Sequence, residues 1–477
     1  PVRVRTGADG EFRIDKDGKP VAQPSGQDQS SYALYSVPFE LDKNAPKEVL
    51  EDDLGPYDRT KWRLFEYRPD MANGWVEYNS AAPTISPFMP GRAFFMIVAD
   101  ADKVIDSGAG KTVSTGKKHA IELKKGWNLF GNPFNFPVSR ENLTLVNSSI
   151  PQDSTRLSIR SYERGWNIDN TIEPWKGYAI YVEPKRANEK IQLLVCPIAT
   201  TPRIGKNSAP AVTSEKDWTI QIAATAGTAM DTINWVGARS VCGVAEEYDD
   251  FDLVEPPVIG EYVSVYVPNL NWSLHPMKYT ADFRPANQEI YEWPLQVNSN
   301  SPSGEVVLEF KGLANVPNDY DAYLVDEAYG MARNLKRNPS YRIVTSAAGV
   351  DKSLKLLVGK PEALRKLSGG LALVPKAFEL SQNFPNPFAA KQAQAFTAIR
   401  YALPKSATVT VEVYNMLGQK VRTLVNRQIQ AADYYLATWN GRDEAGKEVS
   451  SGIYVYRILA ESGSERFAST KKLLLVK

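Results

Sequence analysis

Histidine and cysteine are almost missing from this chain, with two of each in 477 residues. That supply removes most routes to a zinc site, a histidine-based triad or a disulfide scaffold, because each needs several such side chains brought together. An excess of one charge is lacking too. Fifty-six Lys and Arg stand against 55 Asp and Glu, a formal net charge of +1, so no field exists to hold a polyanion and nucleic acid is disfavoured as a partner. The longest apolar run, residues 93–99 (AFFMIVA), is far below the ~20 residues of a membrane-spanning helix and reads as a buried strand. Residues 1–18 are polar and turn-rich, without the apolar segment of an export leader, so the chain reads as starting mature or mid-protein. Cys196 and Cys242 are open to two readings, a pair or two buried thiols, and do not fix the redox compartment.

What is present is ordinary globular composition, 43% hydrophobic and 23% charged, over a length that suits three or four domains. Helical periodicity is nearly absent. Short alternating or β-branched runs recur instead: 219–223 (TIQIA), 262–267 (YVSVYV), 305–310 (EVVLEF), 353–358 (SLKLLV) and 408–414 (TVTVEVY). They are bounded by Gly, Pro, Asn and Asp, and the chain reads as all-β. Three short helices are expected, at 45–52, 139–145 and 362–367.

The first half carries an internal repeat. YALYSVPFEL from Tyr32 is followed by WRLFEY, Gly74-Trp75 and ISPFMPGRAFFMIV; GWNLFGNPFNFPV from Gly126 is followed by residues 157–162, Gly165-Trp166 and IEPWKGYAIYV. Each copy reads as an aromatic strand, a Pro-Phe bend, a strand, a Gly-Trp hairpin, and a turn into a last apolar strand. Gly91 and Gly177 are expected to supply that last turn, where a left-handed backbone is cheap only for glycine. The expected units are a first repeat at 1–110, a second at 111–205, a β-sandwich or jelly roll at 216–360 and a carboxy-terminal module at 376–477. Residues 200–216 and Ser368-Gly369-Gly370 read as linkers.

Candidate chemistry is sparse, and no catalytic or cofactor-binding residue is nominated. His119 and His275 have no nucleophile motif nearby, and no GxSxG occurs. Asp249, Asp250, Asp252 and Glu255, in EEYDDFDLVE, gather oxygens of the kind calcium takes, without EF-hand spacing, and read either as a calcium loop or as a solvated acidic turn. Trp75, Trp127, Trp166 and Trp175 recur at matching repeat positions and read as packing residues. A sugar platform, if present, is expected at Trp235, Trp272 or Trp293.

The last hundred residues hold the strongest signal. In order come NFPNPF (Asn383, Pro385, Asn386, Pro387), IRYALP, YNMLGQ (Gly418), WNGRDEAG (Gly441, Asp443, Gly446), SGIYVY (Gly452, Tyr454) and TKKLLLVK (Lys471, Lys472). Val409, Val411 and Val413 line one face of a strand, and an immunoglobulin-like sandwich is expected. These motifs, over about 100 residues, resemble the type A carboxy-terminal sorting domain of the bacterial type IX secretion system, related to the immunoglobulin-like domain of flagellar hook-capping proteins. Two departures fall at turns: AAKQAQAF at 389–396 replaces a short link, and Ala431-Ala432-Asp433 stands where Ala-Gly is common.

The resemblance implies a Bacteroidota-like protein that crosses periplasm and outer membrane to the exterior or cell surface. It implies the secretion translocon and outer-membrane attachment machinery as partners, with residues 471–477 part of the recognised surface. LKKGWNLFGNPFNFPV resembles a segment that recurs beside such domains. The sequence therefore reads as a non-catalytic stalk, adhesion or assembly protein, with self-assembly or glycans as further partners. The alternatives are the accessory tail of a larger secreted hydrolase, such as a subtilisin-like protease, and a carbohydrate-binding module.

Overall fold

Alternation of buried and exposed side chains sets the architecture. Ile290–Ser299 turns Tyr291, Trp293, Leu295, Val297 and Ser299 inward, and Ala407–Tyr414 turns in Ala407, Val409, Val411 and Val413. Each strand thus offers one apolar face for packing. The computed structural model describes residues 3–5, 32–71, 74–79, 85–99, 104–149, 158–163, 165–186, 188–200, 216–240, 244–249, 251–273, 275–301, 305–344, 349–367, 372–389 and 396–476. Most of the linker residues, Asp250 and Cys242 lie outside these; Cys196 is a free thiol. The fold is all-β.

The two repeats form four-stranded sheets of the same order. In the first, Ala33–Ser36 pairs with Ala93–Val98, then Trp62–Tyr67, then Trp75–Glu77. In the second, Gly126–Gly131 pairs with Gly177–Val182, then Ile159–Tyr162, then Trp166–Asp169. The repeats meet through matched contacts: Ser36 N donates to Trp175 O at 2.9 Å, and Gly131 N donates to Gly91 O at 3.1 Å. Gly91 has φ +88° as expected, but the left-handed residue of the second repeat is Trp175, φ +68°, not Gly177. Trp175 is held by the Ser36 bond and by its ring on Phe39, centroids 5.3 Å apart. Gly177 is needed for close approach instead: a Cβ there would fall 2.5 Å from Leu34 Cγ and 2.7 Å from Ala93 Cβ.

The third unit is one eleven-stranded sheet rather than two separate leaves. Its path begins at Met331–Asn334 and ends at Ser340–Val344, and residues from both ends share one core with Trp218, Trp293 and Leu356. The sheet therefore curls over itself. Pro294 sits in a long strand where only Val350–Gly359 runs alongside, since pairing with Val263–Asn269 covers residues 296–299 alone. A proline is tolerated there because one side of the strand asks for no ladder hydrogen bond.

Two helices, Pro46–Leu54 and Pro361–Leu367, lie where expected. The expected helix at 139–145 is instead a single 3-10 turn, Arg140–Asn142, running into the strand Leu143–Val146. Leu143 and Leu145 alternate inward to pair with Ile191–Val195, and that burial overrides a weak helical propensity.

Candidate functional site

The carboxy-terminal module is a two-layer sandwich. One layer orders Glu379–Leu380, Thr397–Leu403 and Asp433–Trp439; the other orders Phe388–Ala389, Glu465–Val476, Gly452–Ser462, Ala407–Tyr414 and Lys420–Gln430. Val409, Val411, Tyr456, Ile458 and Trp439 fill the space between them.

Most of the motif residues build this fold rather than its surface. Asn383 is 2% exposed; its amide donates to Thr397 Oγ1 at 2.9 Å and its backbone N–H to Tyr456 Oη at 2.8 Å. Asn386 Oδ1 accepts from Leu474 N at 2.9 Å, which caps the terminal strand. Pro385 and Pro387 are exposed flanks of that turn. Gly418, Gly441 and Gly446 take φ of +79°, +73° and +79°, values that exclude ordinary side chains. Asp443 Oδ1 accepts from Ala445 N and Lys447 N, a local turn that short acidic side chains favour. Tyr454 points inward and donates to Ser450 O at 2.7 Å; Gly452 opens its strand. Lys471 and Lys472 lie on the terminal strand, Lys472 exposed and Lys471 partly so.

Several apolar residues of the same motifs are exposed, which the motifs alone do not reveal. Ile453 pairs with Leu474, and Val455 with Tyr414 on one side and Lys472 on the other, on the outward face of the five-stranded layer. Met416 and Leu417 cap the adjoining hairpin, 60% and 83% exposed; Val476 ends the terminal strand. Among the described residues the outer edge of that strand carries a partner strand only at Leu475 and Val476, with Asn386 Oδ1 accepting from Leu474 N and Gln382 Nε2 donating to Lys472 O beside it. The opposite edge, Lys420–Gln430, carries register shifts and Lys420, Arg422 and Arg427, features that hinder strand addition.

The module is docked on the third unit. Arg333 Nη2 donates to Tyr434 O at 3.1 Å, Arg400 Nη1 to Gly330 O at 2.6 Å and Asn338 Nδ2 to Asp433 Oδ2 at 2.7 Å. Met331 packs on Ala402 and Tyr434. Asp433, one of the two departures from the family pattern, is thus an anchor between units. Burial raises its pKa, and Arg333 pulls the other way.

Asp249 accepts from Ala245 N at 2.8 Å and Phe251 N at 2.7 Å, and Asp252 from Asp249 N at 2.9 Å and Phe283 N at 3.0 Å. The acidic turn is knotted by its own backbone. Glu255 lies apart from it, accepting from Ser264 Oγ at 2.7 Å beside Asp231 and Arg160. Burial holds the Asp252 and Glu255 carboxyls well above the usual range and pushes Asp231 up to about 6 and Arg160 down to about 10. Among the described residues no group of three or more His, Cys, Asp or Glu is placed to hold a metal ion. His119 packs against Phe134, and His275 against Tyr248.

Trp235 and Trp293, expected to offer a sugar platform, are core residues at 1% and 0% exposure. Three repeat tryptophans act together in a way no motif reveals. Trp127, Trp166 and Trp75 donate their indole N–H to Glu255 O, Pro257 O and Val258 O, each at 2.9 Å. Both repeats thereby grip one segment of the third unit, over a shared core that includes Phe95, Trp127, Trp166, Trp235 and Phe283.

Residues 387–464 match the FlgD Ig-like domain family. The FlgD-like module is the part of the chain that this family describes. Among solved structures, FlgD from P. aeruginosa is similar at 21% identity over 22% of this chain and 77% of that one, with TM-score 0.16. PorZ of Porphyromonas gingivalis, described as an essential bacterial surface component of the type IX secretion system, is similar at 11% identity over 38% of this chain and 21% of that one, TM-score 0.16. Dimeric latent PorU from the same organism is similar at 13% identity over 80% of this chain and 35% of that one, TM-score 0.18. The chain thus spans about a fifth of PorZ and a third of PorU, and TM-scores this low leave the arrangement of the whole chain unmatched. No curated protein matches the chain.

Proposed function

We propose that this chain is a secreted or cell-surface protein exported through a type IX secretion system, with the FlgD-like module as its address and the upstream units as a stalk or assembly element. The reading is carried by the ordered motifs from NFPNPF to TKKLLLVK on a module of FlgD-like sequence. The apolar outward patch of Ile453, Leu474, Met416 and Leu417 supports it, lying beside a terminal strand whose edge a partner strand can extend. Deleting residues 471–477 is a poor test, because Leu473 and Leu475 are core residues at 1% exposure each. The double variant Ile453→Lys, Leu474→Lys changes only outward-facing positions. In a host with the secretion system, export should fall about tenfold, a change of ~1.4 kcal/mol in recognition, while the melting temperature of the purified protein stays the same. Normal export of this variant would reject the patch as the recognised surface.

A further inference from the structure

Where the two repeats meet the third unit the surface opens into a cleft of about 640 Å³. That volume is within the range of small-ligand sites, which favour junctions between domains. Its walls come from three parts of the chain: Tyr67 from the first repeat, Trp127 and Tyr181 from the second, and Met277 from the third. The Trp127 and Tyr181 rings meet edge to face at 5.7 Å, and Tyr181 Oη donates to the Glu183 carboxylate with Met277 Sδ 3.1 Å away, so the wall is preorganised.

Lys124, Lys125 and Lys278 stand around this wall. Lys124 pairs with Asp70 at 2.9 Å, with both side chains 58% exposed, and Lys125, 68% exposed, pairs with Glu183 at 3.2 Å. The Lys124 pair is exposed on both sides and worth about 0–1 kcal/mol, so a ligand anion can recruit Lys124 at little loss, whereas Lys125 stays with the buried Glu183 carboxylate. Lys278 is exposed above the Tyr266 ring at 4.6 Å. Two acidic residues line the cleft, Asp70 and Glu255. The Glu255 carboxyl is turned away: Oε1 accepts from Ser264, and Oε2 is enclosed by protein. Of the three lysines at the opening, Lys124 is paired with the exposed Asp70, Lys125 with the buried Glu183, and Lys278 stands over a tyrosine ring, beside an aromatic wall.

We propose that this cleft binds a carboxylated sugar, its ring faces against the half-buried Tyr67 and Tyr181 and its carboxylate between Lys124 and Lys278. A sugar ring has the apolar C–H faces that the aromatic wall accepts, and the acid group answers the lysines. A simple inorganic anion would use the lysines alone, and a neutral sugar the wall alone. The proposal is independent of the export reading, since the cleft shares no residue with the FlgD-like module.

Calorimetric titration of the full chain with trigalacturonic acid, against maltotriose and sodium sulfate, tests it. The expected result is binding of the acidic trisaccharide at least about tenfold tighter than either control, weakened by 0.5 M salt. The Lys124→Gln, Lys278→Gln double variant should lose about tenfold in affinity with its melting temperature unchanged. A Lys405→Gln, Lys447→Gln variant in the FlgD-like module should bind as the parent does. Absence of binding, equal affinity for the neutral sugar or for sulfate, or equal loss in the Lys405→Gln, Lys447→Gln variant would each overturn the proposal.

Discussion

Replacing Trp166 by phenylalanine should loosen the third unit from the repeats, and the size of the effect follows from two losses. The indole N–H of Trp166 reaches Pro257 O at 2.9 Å. Pro256 and Pro257 have no backbone N–H, so this segment cannot enter a ladder as a donor strand, and its carbonyls depend on side-chain donors. Phenylalanine keeps a ring but removes the donor. A carbonyl left without its partner costs about 1–3 kcal/mol, and the missing ring atoms of a side chain only 8% exposed add roughly 1 kcal/mol. The sum, about 2–4 kcal/mol, corresponds to a fall of roughly 3–6 °C in melting temperature for the repeats and third unit melting together, at about 2 cal/mol/K of unfolding entropy per residue. Trp127→Phe should behave alike, since its donor serves Glu255 O at the same distance. The double variant should cost less than the sum, because both bonds hold one segment and are lost together. Trp272, half-buried with its ring tilted 44° against Tyr279, is the control, and Trp272→Phe should change stability by less than about 1 kcal/mol. Scanning calorimetry of the full chain, with hydrogen exchange of strands Ile159–Tyr162 and Ala229–Arg239, reads the outcome. If Trp166→Phe shifts melting no more than Trp272→Phe, or if the parent protein already melts the repeats and the third unit separately, the clamp does not join them.

The buried acids should make stability depend on pH. Asp231, Asp252 and Glu255 all have folded pKa values above their unfolded ones, so the unfolded chain releases these protons first as pH rises. Stability should fall from about pH 4 upward, through the folded value of about 6 for Asp231 and beyond it for the other two. Asp231→Asn should flatten the fall between pH 4 and 6 by on the order of 2–3 kcal/mol, and an unchanged slope in denaturant titrations would contradict it. Asp433→Ala removes the acceptor of Asn338 and the carboxylate beside Arg333. It should raise proteolytic cleavage between the third unit and the FlgD-like module about tenfold while leaving the module's own melting within ~1 kcal/mol. Cleavage at the parent rate would show that the docking does not rest on Asp433.

The chain's β character, the order of strands in both repeats and the inward valines of the carboxy-terminal module were legible because alternation and turn residues act locally. The left-handed turn at Trp175 was not, since a tertiary bond from Ser36 imposes a conformation that tryptophan rarely takes. Trp127 and Trp166 were legible as packing residues, yet their shared target, the carbonyls at 255–258, lies about 90–130 residues away in sequence and no pattern links them. The acidic turn looked like a cluster of free oxygens because sequence spacing does not reveal which backbone N–H groups fold back onto Asp249 and Asp252. The motif residues of the last hundred positions marked the fold correctly. The exposed apolar residues beside them escaped notice because single outward hydrophobics are common on any surface.

The central claim is that the FlgD-like module directs this chain out of the cell. The direct measurement expresses the full chain, carried to the periplasm by a cleavable leader, in a bacterium with an intact type IX secretion system and in an isogenic strain lacking the translocon, and quantifies it by surface labelling and fractionation. Protein is expected at the surface or in the medium of the first strain and in the periplasm of the second. Equal distribution in the two strains, with the protein folded in both, would contradict it.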